Sequence, residues 1–114
     1  MADLPFSESF TSSNFVFVSG QVPLDKNGKM LKGSIEDLTH QTMKNIGKVL
    51  KAVGLNFSNV VMTDIYLTDL KNMKKVSDSY ISYFKKPYPA RVTLGVASLP
   101  LDSKIEISVI AVKK

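Results

Sequence analysis

Apolar residues recur along this chain with two different periods, and the changes of period mark its elements. Asn14-Phe-Val-Phe-Val-Ser-Gly20 is β-branched and aromatic, which predicts a strand ending at Gly20. Pro23-Leu-Asp-Lys-Asn-Gly28 is turn chemistry, and a second short strand is predicted around Lys29 to Leu31. Ile35, Leu38, Ile46, Val49, Leu50 and Val53 then fall at helical spacing. Ser34 precedes them as a cap, Glu36 and Asp37 lie in the first turn, and Gly54 is the natural stop. VVMTDIYL, residues 60–67, reads as a strand. Asp69 is expected to cap a second helix with Leu70, Met73, Val76, Tyr80, Tyr83 and Phe84 on its inner side, ended by Pro87 and Pro89. Two further strands, residues 91–97 and 105–112, are joined by Ser98-Leu-Pro-Leu-Asp-Ser103.

The order β-β-α-β-α-β-β predicts an α+β fold, a mixed sheet with both helices packed on one face. The last strand sets Ile105, Ile107, Val109 and Ala111 against Glu106, Ser108, Ile110 and Val112, so its second face is half apolar. No residues remain to cover that face, and another subunit is the expected cover. With no linker, repeat or low-complexity tract, residues 1–114 are expected to form a single domain.

Composition narrows the chemistry. Fifteen basic and ten acidic side chains give a formal net charge of +5, yet fourteen of the cations are Lys and the only arginine is Arg91. There is one histidine, His40, and no cysteine or tryptophan. Cysteine nucleophiles, thiolate zinc sites and disulfides are excluded, and a Ser-His-Asp triad could be built only on His40. No acidic cluster has metal-ligand spacing and no phosphate-cradling glycine loop is present, so neither metal nor cofactor is expected. No apolar run approaches the roughly 18 to 20 residues of a membrane span, and the first residues read as neither signal nor transit peptide. A cytoplasmic setting is the expectation. Lys44, Lys48 and Lys51, and Lys71, Lys74 and Lys75, read as two solvated helix faces without interleaved aromatics.

Four features could carry chemistry. Where Lys serves for plain positive charge, the one planar, five-donor fork marks a position where Lys will not do; Arg91 is either a carboxylate or phosphate grip or an ordinary ion-pairing residue. Glu106 sits mid-strand between isoleucines, either outward at an edge or facing a cleft as a base or water-positioning group. Ser19-Gly20-Gln21 either ends a strand in a turn or lets a ligand approach the backbone. His40 reads as a solvated helix residue.

These residues also stand in a familiar order. Phe15-Val-Phe-Val-Ser-Gly-Gln-Val-Pro23, Leu55 to Leu67 leading into Asp69-Leu70, Pro89-Ala-Arg-Val-Thr93, Leu99-Pro100, and Lys104-Ile-Glu-Ile107 through Ile110-Ala-Val112 together resemble the RidA family. These are the YjgF-like reactive intermediate or imine deaminases, also labelled endoribonuclease L-PSP, and the likeness runs from about Pro5 to Val112. It implies a chorismate-mutase-like α+β fold, a homotrimer with sites at subunit interfaces, and cofactor-free hydrolysis of 2-imino acids such as 2-aminoacrylate and 2-iminobutyrate to 2-oxo acids and ammonia. Arg91 would grip the substrate carboxylate and Glu106 would hold or activate the attacking water. Phe6, Ser19, Gly20, Ser77, Val92 and Thr93 would line the pocket. Three positions depart from the family pattern: Phe6 stands in Leu4-Pro5-Phe6 where Gly-Pro-Tyr is usual, Ser77 replaces an Asn, and Thr93 replaces a Cys. Two other functions stay open at this point. One is a single-strand endoribonuclease or translation inhibitor, supported by the +5 charge. The other is a non-catalytic, chaperone-like or 2-oxo acid-binding trimer.

Overall fold

Hydrogen bonding sets the strand ladder of the protein, whose residues 4–114 are described by the computed structural model. The elements are β1 (Ser9–Ser12), β2 (Phe15–Gln21), α1 (Ile35–Ala52), β3 (Val60–Leu67), α2 (Met73–Ile81), β4 (Ala90–Gly95) and β5 (Ile105–Val112). They form one five-stranded sheet in the order β1-β2-β5-β3-β4. Every neighbouring pair is antiparallel except β3 and β4, which run parallel because α2 crosses between them.

The expected α+β class and the order β-β-α-β-α-β-β hold, and the strand expected at residues 14–20 is β2, but the other strand of the first pair precedes it instead of following it. The first is Ser9–Ser12, a polar stretch with little intrinsic strand preference that takes its conformation from pairing Phe10 with Phe17 and Ser12 with Phe15. The strand expected at 29–31 is instead a single bridge between Leu24 and Met30. Its backbone bonds turn back within the segment, Asp25 N–H to Lys29 and Leu31 N–H to Pro23, so no ladder extends to the sheet.

α1 begins as read: the Ser34 hydroxyl accepts from the Asp37 backbone N–H, and the Asp37 carboxylate accepts from Ser34 N–H. Gly54 follows its end with φ +78°, a left-handed conformation that only glycine adopts without a steric cost. Asp69 caps a 3₁₀ turn, Leu70–Asn72, rather than α2 itself, and Leu70 and Met73 are exposed instead of inward. Val76 and Tyr80 carry the buried face of α2.

Both helices lie on one sheet face. The core joins Leu38, Met43, Ile46, Val49 and Leu50 of α1 and Val76 and Tyr80 of α2 to Val16, Val18, Ile65, Leu67, Ile105, Ile107, Val109 and Ala111. The alternation of β5 is followed residue by residue, its odd positions buried and its even positions half-buried. The other face is open and carries exposed Phe10, Phe15, Phe17, Val92 and Leu94. His40 corrects its expected role: its Nδ1 shares a 2.9 Å hydrogen bond with the Tyr83 hydroxyl, tying α1 to the segment after α2. Among the described residues, no helix is long and apolar enough to cross a membrane.

Candidate functional site

The candidate residues separate into two groups, and the Arg91 and Glu106 that head them leave the sheet on opposite sides. Arg91 lies on β4, in register with Thr63 of β3, and Thr63 is buried on the helix side. Glu106 lies on β5, in register with Tyr66, between core residues Ile105 and Ile107, and therefore leaves the open side. β4 and β5 flank β3, so the two positions differ by two strand spacings, about 9.6 Å, and three residues, about 10 Å. Their Cα atoms are thus about 14 Å apart, with side chains diverging. Within one chain the fork and the carboxylate do not meet.

The first group surrounds Arg91. Its Nη2 donates to the Ser77 hydroxyl at 2.9 Å, and the guanidinium carbon lies 5.3 Å from the centre of the Tyr80 ring. Ser77 and Tyr80 are three residues apart on α2, so they share a face of the helix. Behind them the Tyr80 hydroxyl donates to Thr63 Oγ1 at 2.9 Å. Burial raises the proton affinity of the Tyr80 phenol, partly opposed by the Thr63 bond and the Arg91 charge. Thr93 follows Arg91 on the same face, and its hydroxyl oxygen is enclosed without a hydrogen-bond partner. Val92 points to the opposite, open face and is 41% exposed.

The second group lines a cleft of about 870 Å³ that contains Phe6, Ser19, Gly20 and Glu106. Gly20 is required here by its neighbour. A methyl group built on it would lie 2.7 Å from Glu106 Cδ, closer than a real Cβ approaches, so the group it admits is a side chain of its own chain. The register shift in β2 between Val18 and Gln21 brings Gly20 to that point. Burial raises the proton affinity of Glu106. Ser19 acts as a tether: its hydroxyl donates to the Ser7 carbonyl at 2.6 Å and its N–H to the Glu8 carbonyl at 2.9 Å. That pins the segment carrying Phe6 at the cleft.

Two lining residues have no counterpart in the sequence reading. Asn45 of α1 donates to the carbonyls of Val22 and Leu24, at 3.0 and 2.9 Å, and so fixes the far wall. Leu101, 66% exposed, adopts a left-handed backbone with φ +59° at the rim. Such a conformation costs a bulky residue on the order of 1 to 3 kcal/mol. Asn45 reads as an ordinary helix residue, and the one sequence signal that could have found Leu101 is an apolar side chain in a turn. Among the described residues, no group of three His, Cys, Asp or Glu is placed to hold a metal ion.

One five-stranded mixed sheet with two helices on one face makes this a small α+β protein. The chain belongs to the Endoribonuclease L-PSP family, whose model matches residues 1–113, in agreement with the resemblance to RidA proteins. It is 47% identical over 108 residues to Reactive Intermediate Deaminase A, chloroplastic, of Arabidopsis thaliana, matching 94% of this chain and 58% of that relative's length. It is 36% identical over 110 residues to the human 2-iminobutanoate/2-iminopropanoate deaminase, across 96% of this chain and 80% of the human one. The crystal structure of yeast Mmf1 superposes with a TM-score of 0.94 at 36% identity, over 99% of this chain and 90% of that one.

Proposed function

We propose that this chain, as one domain, hydrolyses reactive 2-imino acids to 2-oxo acids and ammonia. The relatives named as deaminases support this reading. So does one observation above the rest: the only guanidinium of the chain is held by Ser77 and Tyr80 with donors left over. A guanidinium carries five N–H groups, and the Ser77 contact takes one of them. The free edge suits a carboxylate gripped through two parallel bonds.

The chemistry asks little beyond placement. The imine carbon is already electrophilic, so orientation beside a water supplies most of the rate. Glu106 takes a proton from that water as the oxygen attacks the carbon of the protonated imine, giving a neutral carbinolamine. Returning that proton to nitrogen makes ammonia the leaving group, and as the C–N bond breaks the carbinolamine hydroxyl loses its own proton to the Glu106 carboxylate and becomes the carbonyl of the 2-oxo acid. A carboxyl whose proton affinity is raised above the ordinary range suits a group that both accepts and returns a proton.

Arg91 and Glu106 act together only if two copies of the chain supply one each. A homotrimer with sites between subunits does this, and the open apolar face of the sheet offers the surface for it. Phe6, Ser19 and Gly20 then belong to the glutamate half of each site, and Ser77 and Thr93 to the arginine half. Val92 lies on the face that meets the neighbour. The Arabidopsis and yeast relatives are named chloroplastic and mitochondrial, so the proposed reaction suits an organelle as well as the cytoplasm expected from the sequence.

The test is clearance of freshly generated 2-iminobutyrate by the purified protein. Arg91→Lys keeps the charge but loses the fork, and the expected loss in kcat/KM is on the order of tenfold to a thousandfold. A wild type no faster than buffer would sink the deaminase reading. Tight 2-oxo acid binding without turnover would point to the non-catalytic trimer. RNA cleavage that persists through purification and falls steeply with salt would favour the ribonuclease.

A further inference from the structure

We propose that Tyr80, with Ser77, is a positioning residue for Arg91: the ring supports one face of the guanidinium while the hydroxyl holds one of its edges. The 5.3 Å separation from the ring centre and the 2.9 Å bond from Nη2 fix the fork in two independent directions. An arginine side chain on its own keeps several rotatable bonds free, and on an edge strand it would sweep through solvent. Here the face and one edge are taken, so only the remaining edge can meet a ligand.

The platform is itself anchored. Tyr80 is 4% exposed and Thr63, which accepts from its hydroxyl, is fully buried. Thr63 is also the residue in register with Arg91 on the neighbouring strand, so helix and sheet fix the ring from two sides. Phe84 packs against the same ring at 4.8 Å between centroids. Lys in place of Arg91 would lose both constraints at once, because an ammonium has neither a flat face nor a fork.

Because Arg91 is the only arginine, its side-chain N–H resonances are identified without assignment, and they provide the test. In the wild type these protons are expected to be displaced upfield by the Tyr80 ring current. Tyr80→Phe should keep the displacement and Tyr80→Met should abolish it, while Ser77→Ala should keep it but speed exchange at Nη2. For turnover, Tyr80→Met should raise KM for 2-iminobutyrate about tenfold with a smaller change in kcat, and Tyr80→Phe should restore most of the loss. The Arg91→Lys and Tyr80→Met losses should not add, since both act through one group. Arg91 resonances unmoved by Tyr80→Met, or losses that add, would overturn the proposal. If Tyr80→Met does not fold, the wild-type spectrum decides alone: Arg91 side-chain protons without an upfield displacement count equally against it. The kinetic arm rests on the deaminase reading and the spectra do not. An Arg91 signal governed by Tyr80 in a protein without imine turnover would therefore keep the positioning role and discard the reaction.

Discussion

Glu106 carries its carboxyl group against the backbone of Gly20, partly withdrawn from water, and its proton affinity is raised for that reason. If it works as the ionised form, the rate should fall as pH drops through its raised pKa, so the acid limb lies above the usual carboxylate range. A pH–rate profile of kcat/KM reads this directly, and Glu106→Gln should remove the limb together with most of the activity. The stability effect has a definite sign. A raised carboxyl pKa favours folding below the unfolded value and loses that benefit as pH rises through the folded one. Glu106→Gln should therefore melt higher than the wild type at neutral pH, and the gap should close in acid. Arg91, Glu106 and Gly20 could all be singled out before folding because each is locally unusual: one arginine among fourteen lysines, a carboxylate between isoleucines, a glycine at a strand end. Tyr80 and Asn45 are unremarkable in sequence. Their parts depend on which strand or loop the fold places beside them, and that information lies 17 and 21 to 23 residues away along the chain.

α1 does more than cover the sheet, because Asn45 reaches from it to hold the 22–24 segment that walls the cleft. Asn45→Ala leaves two carbonyls without that donor. The expected cost is about 1 to 2 kcal/mol, a fall in Tm of roughly 5 to 10 °C for a domain of this size, measurable by calorimetry. Element boundaries were legible where capping chemistry is local, as at Ser34, Asp37 and Gly54. They were not where pairing decides. Ser9–Ser12 is a strand because β2 offers it an edge, and Leu24 to Leu31 is not a ladder because its hydrogen bonds close on themselves and Asn45 draws it to the helix.

The whole molecule is two-sided: a helix-covered face with the core and the Arg91 support, and an open face with three exposed phenylalanines and Glu106. The even positions of β5 already pointed to a half-apolar second face, since that alternation is readable from one strand. That Arg91 and Glu106 leave the sheet on opposite sides was not readable, because parity can be compared between strands only once their register is known. This division has a genetic consequence. If each site takes its arginine from one chain and its glutamate from the next, Arg91→Lys and Glu106→Gln chains, each strongly impaired alone, should complement when refolded together. With random mixing in a cyclic assembly, about one quarter of the sites would receive both intact residues. A mixture showing that fraction of wild-type turnover would identify the neighbour as the donor of the missing half, and a mixture no more active than its parents would overturn the shared site.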